Sequence, residues 1–407
     1  MAPRRSVDVS RRRFLKLTAG VPLAAGLGPL ASPAPVLARR NVAGSPIVKP
    51  LPPEWFVDFG TNAEMRWDAA ADLGYRVPNE RFFVRDHTAT PLIDAATWRL
   101  RVFGSGLRGA PGLDDAVEFE YYQLRSLPSY EIDAVIECAG NGRSFFASQQ
   151  GTPAAGTPWG LGAIGLARWR GVRLAEVLER AGIRRDAVDV MPEGLDATVV
   201  TNGVDHGHVR RPLPVWKALD DALLAYEMNG EPLPPDHGFP VRLVVPGWIG
   251  IASIKWLGQI EVSDQPLSSP WNTLWYRLTG PDYPADSPPI TDQAVKSAFE
   301  LPWNAALPAR TVTTLTGRSW SGQAPIRRVE VSTDGGQRWR TARLAGPNRA
   351  NGWVRWELPW RPTSTGNHTL LARAVDESGR RQPATVPFND GGYLFWAVVH
   401  HPVTTTT

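Results

Sequence analysis

Ala134-Val135-Ile136-Glu137-Cys138-Ala139-Gly140-Asn141-Gly142-Arg143-Ser144 is the most informative stretch of the 407-residue chain. Its apolar start reads as the end of a strand, which delivers the single cysteine of the sequence into a Gly-Asn-Gly turn followed at once by an arginine. Glycine lets a backbone come close to a bulky group, and a neighbouring cation favours the thiolate over the thiol. A thiolate is a soft donor suited to a transition metal. A buried structural cysteine would account for Cys138 alone, but not for the glycines and Arg143 around it.

Two other stretches concentrate similar chemistry. Phe82-Phe83-Val84-Arg85-Asp86-His87 ends an apolar segment with a cation, an acid and an imidazole. Tyr226-Glu227-Met228-Asn229-Gly230 leads to Asp236-His237-Gly238-Phe239-Pro240-Val241-Arg242, and later to Ser253-Ile254-Lys255-Trp256. Together they offer Arg85, His87, His237, Arg242 and Lys255, donors appropriate for a phosphorylated, anionic cofactor.

Around these stretches the chain mixes short strands and helices from about residue 62 to 280. Trp98–Phe103 alternates as a half-buried strand does, and Val241–Val245 reads as a buried strand stopped by Pro246. Leu174, Val177, Leu178 and Ala181 follow helical spacing, with Gly182 placed to end the helix. Pro46, Pro50, Pro52 and Pro53 mark an extended lead-in, and Pro281, Pro284, Pro288 and Pro289 mark a linker. Beyond it only strands are predicted: Ile326–Thr333, turned back by Asp334-Gly335-Gly336, then Trp353–Trp356 and Leu370–Val375. Short strands over about a hundred residues predict an immunoglobulin-like β-sandwich. The fold class is therefore α+β, with a mixed α/β domain over 39–280 and a sandwich over 290–403.

Hydrophobic residues at 43% and charged residues at 21% exclude a disordered chain. No run of 18 apolar residues occurs, so no ordinary membrane span is expected. The net charge of +4 does not indicate a nucleic-acid partner. Residues 1–38 hold six basic side chains against Asp8, a net +5, which leaves −1 for the remainder. Those same residues read as an export address. Ser10-Arg11-Arg12-Arg13-Phe14-Leu15-Lys16 precedes a mild apolar run from Leu17 to Leu30 and small residues at Val36-Leu37-Ala38. The paired arginines resemble a twin-arginine signal, which predicts a periplasmic or otherwise exported protein without a membrane anchor. A lone cysteine cannot form an internal disulfide.

Other motifs carry less. Gly104-Ser105-Gly106-Leu107-Arg108-Gly109 is formally a dinucleotide fingerprint, but Pro111, Gly112 and two aspartates follow where a helix must open, so it reads as a loop. His206-Gly207-His208 lacks a third ligand and reads as a polar loop. The 17 tryptophans are read as core rather than as a carbohydrate-binding surface.

Taken together, FFVRDH, ECAGNGRS, AYEMNGEPLPPDHGFPVR and IKWLG occur in the order that resembles the sulfite oxidase family of molybdenum enzymes, and the likeness covers the mature chain. The resemblance implies molybdenum held by molybdopterin, with Cys138 as the protein ligand and no haem in this chain. It places Phe83, Arg85, His87, Asp196, His237, Arg242, Ser253 and Lys255 against the cofactor. It places Arg85, Arg143, Trp159 and Tyr276 against an anionic substrate. The implied reaction is oxidation of sulfite to sulfate by oxygen-atom transfer, with electrons leaving to an external acceptor such as a c-type cytochrome. The sandwich resembles the family's dimerisation domain, which implies a homodimer.

Three departures stand out. Asp86 replaces the family's usual asparagine, Gly142 stands where animal members carry arginine, and Phe388-Asn389-Asp390-Gly391-Gly392 lacks an arginine that animal members place there. Less positive charge suits either weaker sulfite binding or another substrate. A sulfane dehydrogenase, or a reductase of an S-oxide or oxyanion, is the alternative on the same fold. A non-enzymatic exported β-rich binding protein is the reading from a different class.

Overall fold

A computed structural model describes residues 45–407, so the predicted export signal lies outside the described residues. Three larger sheets and a two-stranded ribbon, Val200–Thr201 with Val204–Asp205, build the first part of the chain. A small antiparallel sheet joins Phe56–Asp58, Asn62–Met65 and Val84–Arg85. A five-stranded mixed sheet runs Leu213–Pro214, Asp189–Gly194, Leu257–Ser263, Arg99–Phe103 and Val117–Glu120, its one parallel pair being Leu257–Ser263 with Arg99–Phe103. The third orders Glu231–Pro232, Leu223–Met228, Ile164–Arg173 and Tyr130–Glu137, with Arg242–Val244 also paired to Leu223–Met228.

The local reasons follow the sequence. Arg99–Phe103 buries Leu100 and Val102 and exposes Arg101, the alternation a half-buried strand requires. Leu174–Ala181 is a helix that buries Leu174, Val177, Leu178 and Ala181, and Gly182 ends it at φ 88°, a left-handed conformation glycine adopts without steric cost. The segment from Gly104 to Gly109 is a turn rather than a helix start.

The chain then crosses residues 281–289 without regular structure and enters a β-sandwich. One sheet orders Lys296–Phe299, Thr313–Trp320, Trp353–Trp360 and Arg343–Ala345. The other orders Ala305–Pro308, His401–Thr406, Gly366–Asp376, Ile326–Ser332 and Arg340–Thr341. Leu315, Val329, Val331, Trp356, Leu370 and Ala374 fill the space between them. Trp159, Trp169, Trp271, Trp320, Trp353 and Trp356 are fully buried, which places these rings in the core.

The sandwich is built against the first part of the chain rather than hung from a tether. Trp320 and Trp353 share a core with Met65, Trp67, Ala134 and Ala167. Buried Arg318 pairs with Glu300 at 2.5 Å and caps the carbonyls of Ala70, Leu73 and Gly74, each at 2.9 Å. After Gly366–Asp376 the chain returns along residues 386–399, where Val386, Phe395, Ala397 and Val399 pack on Phe145 and Phe146 beside the cysteine turn.

Candidate functional site

Cys138 follows directly on Tyr130–Glu137, and the turn after it is pinned on all sides. The Cys138 N–H donates to Ala163 O at 2.9 Å, and the Asn141 N–H to Cys138 O at 2.9 Å. Fully buried Asn141 donates from Nδ2 to Glu137 at 3.0 Å and accepts the Ala163 N–H at 3.1 Å. Gly142 sits at φ 92°. Gly140 has a reason different from the one the sequence suggested. A Cβ there would stand 2.6 Å from Arg143 Nη2, so the bulky group admitted by this glycine is the guanidinium of Arg143 itself, folded back under the turn.

Cys138 opens into a cavity. Phe83, Arg85 and His87 line it from the segment that ends the small antiparallel sheet. Arg242 lines it from the start of the strand Arg242–Val244 and His237, Ser253 and Lys255 from the loops on either side, with Asp196 from the turn after Asp189–Gly194, and Tyr276 beyond a short helix. Ten of the twelve residues named from sequence therefore meet in one place. Arg143 and Trp159, expected against the anion, do not line the cavity. Arg143 donates two of its five N–H groups, to Gly391 O at 3.0 Å and Thr157 O at 2.8 Å, and Trp159 is buried edge-on against Phe59 at 5.6 Å.

The wall is rich in buried cations. Arg242 donates only to the carbonyls of Leu243, His237 and Ser253, and among the described residues no carboxylate pairs with it. Burial presses its pKa down to about 9, which leaves it charged at neutral pH. Three of its five N–H groups are engaged, so two remain. Lys255 pairs with Asp86 and donates to Asp236 O at 2.7 Å, leaving one ammonium hydrogen. Asp86, the departure noted in the sequence, is therefore the counter-ion of Lys255. Burial holds its own pKa up, with Lys255 acting in the other direction.

The two imidazoles are neutral. His87 lies between Arg85 Nη2 at 3.0 Å and the Trp271 indole N–H at 3.2 Å, both meeting its Nε2. Both partners can only donate, so Nε2 accepts and the ring hydrogen sits on Nδ1. Burial, then Arg85 and Lys255, holds the His87 pKa well below the ordinary histidine range. His237 is held low by burial and by Lys49, Lys255 and Arg242. Its Nε2 is buried without a partner, as is Asp196 Oδ1. Unsatisfied buried polar atoms facing one cavity indicate a ligand that satisfies them.

Asp196 carries a pH signature. Burial pushes its carboxyl up to about 6, against partial relief from its own backbone N–H, Lys255 and His208. An unfolded aspartate titrates near 3.9, so folded cofactor-free protein holds this proton longer. Ionised Asp196 therefore opposes folding above pH 6, and the cost vanishes below about pH 4. Asp196→Asn is expected to raise the stability of cofactor-free protein at pH 7, by at most on the order of 3 kcal/mol, and to change little at pH 4. Denaturant midpoints at the two pH values check this, and an equal difference at both would contradict it.

Sequence reasoning missed several contributors. His208 braces Asp196 by meeting its carbonyl through Nδ1, and His206 packs on Trp275 at 4.8 Å, so that polar loop is a support for the wall. Asp236 is fully buried and accepts from Val48 N, Lys49 N and Thr90 Oγ1 at 2.7–2.8 Å, fixing the loop that carries His237. The Asp-His pair in Asp236-His237 was the available signal for it. Tyr393 and Arg211, next to Tyr276, had none. Among the described residues no group of three or more His, Cys, Asp or Glu is placed to hold a metal. A metal at Cys138 would take its other donors from a non-protein group.

Comparison with known proteins agrees with this geometry. Residues 87–271 match the oxidoreductase molybdopterin binding domain, and residues 287–401 match the Mo-co oxidoreductase dimerisation domain. The sulfite oxidase of Gallus gallus is 38% identical over 80% of this chain and 72% of its own length. The mitochondrial sulfite oxidase of Mus musculus is 37% identical over 77% of this chain, which spans only 58% of that relative's length. The solved sulfane dehydrogenase SoxCD of Paracoccus pantotrophus superposes with a TM-score of 0.71 at 27% identity, covering 91% of this chain and 93% of that one.

Proposed function

Because the chain belongs to the sulfite oxidase family of molybdopterin-dependent oxidoreductases, we propose that it oxidises sulfite to sulfate and passes the electrons to an external acceptor such as a c-type cytochrome. The observation that carries the reading is one cavity in which a lone thiol faces buried, carboxylate-free Arg242, part-satisfied Lys255 and the unsatisfied Asp196 Oδ1 and His237 Nε2.

The residues present fit a molybdenum pterin. Cys138 would be the metal's protein ligand, and Arg242, Lys255 and the Ser253 hydroxyl would hold the phosphate. The Ser253 hydrogen is free for this, because its Oγ accepts the Val245 N–H at 3.0 Å. Asp196 and His237 would meet polar edges of the ring system, beside the apolar face of Phe83. The bound group supplies oxygen-atom transfer and the two-electron redox change. Arg85 and Tyr276, on the Cys138 side of the cavity, would bind and orient the anion by charge-assisted and phenolic hydrogen bonds. Neutral His87, donating from Nδ1, adds a directed hydrogen bond without a further charge.

A second reading, oxidation of sulfane sulfur, is favoured by a specific observation. Arg143 does not line the cavity, and its Gly391 partner stands in the segment that lacks the animal arginine, so fewer guanidinium donors face a small dianion. The same reading carries export by the twin-arginine route, a homodimer through the sandwich and electron transfer to a separate haem protein. The sequence contains one cysteine and hence no paired-cysteine haem attachment motif.

Purified protein from a host that makes the pterin is expected to reduce cytochrome c when given sulfite. Reduction with a persulfide but not with sulfite would replace the first reading by the second. Reduction with neither substrate would overturn both.

A further inference from the structure

The segment that returns from the sandwich to the cysteine turn carries a tyrosine that the site so far leaves without a role. Leu394 N donates to Ala139 O at 2.8 Å, and Asn389 brackets Tyr393 with two bonds of 2.8 Å to its backbone N–H and carbonyl. The ring so fixed stacks on Tyr276, centroids 5.1 Å apart and planes 20° from parallel. Tyr276 lines the Cys138 cavity and holds φ at 57°, a conformation that a non-glycine residue keeps only when its surroundings enforce it.

Each ring of this pair has a guanidinium over it. Arg143 stands 5.5 Å from the Tyr393 centroid, and Arg211 stands 5.9 Å from the Tyr276 centroid. Arg211 is 1% exposed, and no carboxylate among the described residues pairs with it or with Arg143. Its Nη1 and Nη2 donate to Trp271 O at 2.8 Å and Ile290 O at 2.6 Å, and its Nε has no partner. Ile290 in turn donates its N–H to Tyr276 O at 2.9 Å. Arg211 thus clamps both chain segments that flank Tyr276. Burial lowers its pKa only to about 10, so it remains charged at neutral pH. Two buried cations that no carboxylate neutralises are costly to keep, and both act on a ring pair bordering an anion-type cavity.

We propose that Tyr393 and Arg211 are positioning residues of the Cys138 site: both hold the Tyr276 phenol in place, and Arg211 gives that side of the cavity a positive field that favours doubly charged anions over singly charged ones. This rests on the reading of the site as an oxyanion oxidoreductase. The field acts through space, so its contribution to binding scales with ligand charge, whereas a loosened wall would weaken ligands of one shape alike.

Sulfate and perchlorate share a tetrahedral shape and differ in charge, and calorimetry on the holoenzyme can titrate each. Arg211→Gln is expected to weaken sulfate about tenfold and perchlorate only about threefold. Arg211→Lys, which keeps the charge, is expected to hold the ratio of the two affinities within about twofold of wild type. Tyr393→Leu is expected to raise the KM for sulfite about fivefold with kcat little changed, while Tyr393→Phe, which retains the stacked ring, stays near wild type. Equal losses for the two anions, losses below about twofold, or a wild-type holoenzyme that binds no sulfate would overturn the proposal. Anion binding does not require turnover. Charge-scaled loss without sulfite oxidation leaves this inference standing and removes the functional reading, and sulfite oxidation with equal losses does the reverse.

Discussion

Cys138→Ala is expected to leave a folded protein that still holds the pterin through Arg242, Lys255 and Ser253 but has lost the metal's protein ligand, and to lower sulfite-dependent electron transfer by well over the roughly 100-fold seen when only a supporting residue of a metal site is removed. Cys138 is the one cysteine of the chain, and among the described residues no His, Cys, Asp or Glu cluster could replace it. The turn around it is held by Asn141, Ala163 and the Glu137 carboxylate rather than by the thiol, so alanine fits without disturbing the backbone. The fold should therefore survive and the chemistry should not. Turnover measured alongside the thermal midpoint separates the two effects. Full turnover in the alanine variant would remove Cys138 from the site.

Lys296→Met is expected to destabilise the protein by about 3–5 kcal/mol, the cost of leaving a buried partner charge uncompensated. Lys296 begins the first strand of the sandwich and reaches the cysteine turn, donating to Glu137 Oε1 at 2.8 Å and to Asn141 O at 2.9 Å. Glu137 also accepts the Trp320 indole N–H at 3.0 Å. Glu137 is 3% and Lys296 5% exposed, so methionine at 296 strands a carboxylate in the interior beside Cys138. Chemical denaturation reads the loss. The double variant Lys296→Met with Glu137→Gln, which removes the stranded charge but keeps an acceptor for Trp320, is expected to recover most of it. A single variant within about 1 kcal/mol of wild type would show that this pair does not join the sandwich to the turn.

What the sequence made legible was whatever repeats with a period or depends on neighbouring residues. Arg99–Phe103 alternates, Leu174–Ala181 keeps one apolar face, and Asp334-Gly335-Gly336 turns one strand into the next, so each was readable. Thr313–Trp320 was not. Its buried end, Gly317-Arg318-Ser319-Trp320, is polar because Arg318 reaches across to Glu300 and to the carbonyls near residue 70, and Gly317 makes room for Trp356. Ile164–Arg173 hides in the same way, since Gly171 accommodates the backbone of Leu224 and Arg170 turns outward to Glu227. In both strands tertiary partners decide what is buried, and no local pattern reports them.

The candidate site divides along the same line. Cys138, Arg85, His87, His237, Arg242 and Lys255 stand in short segments dense with functional side chains, and those segments converge on the cavity. Arg143 was legible as a residue but not as a geometry, because its partners Thr157 and Gly391 lie 14 and 248 positions away. Arg211 looks in sequence like an ordinary surface arginine before a proline, and only the fold shows that it is buried against Tyr276.

The account's central claim is that the Cys138 cavity holds a molybdenum pterin. Plasma mass spectrometry on protein purified from a host that makes this cofactor, with the released pterin assayed on the same sample, tests it most directly. The account predicts molybdenum and pterin in equal amounts, stoichiometric with the chain. Protein that is folded and free of both, from a host whose other molybdenum enzymes are fully loaded, would contradict it.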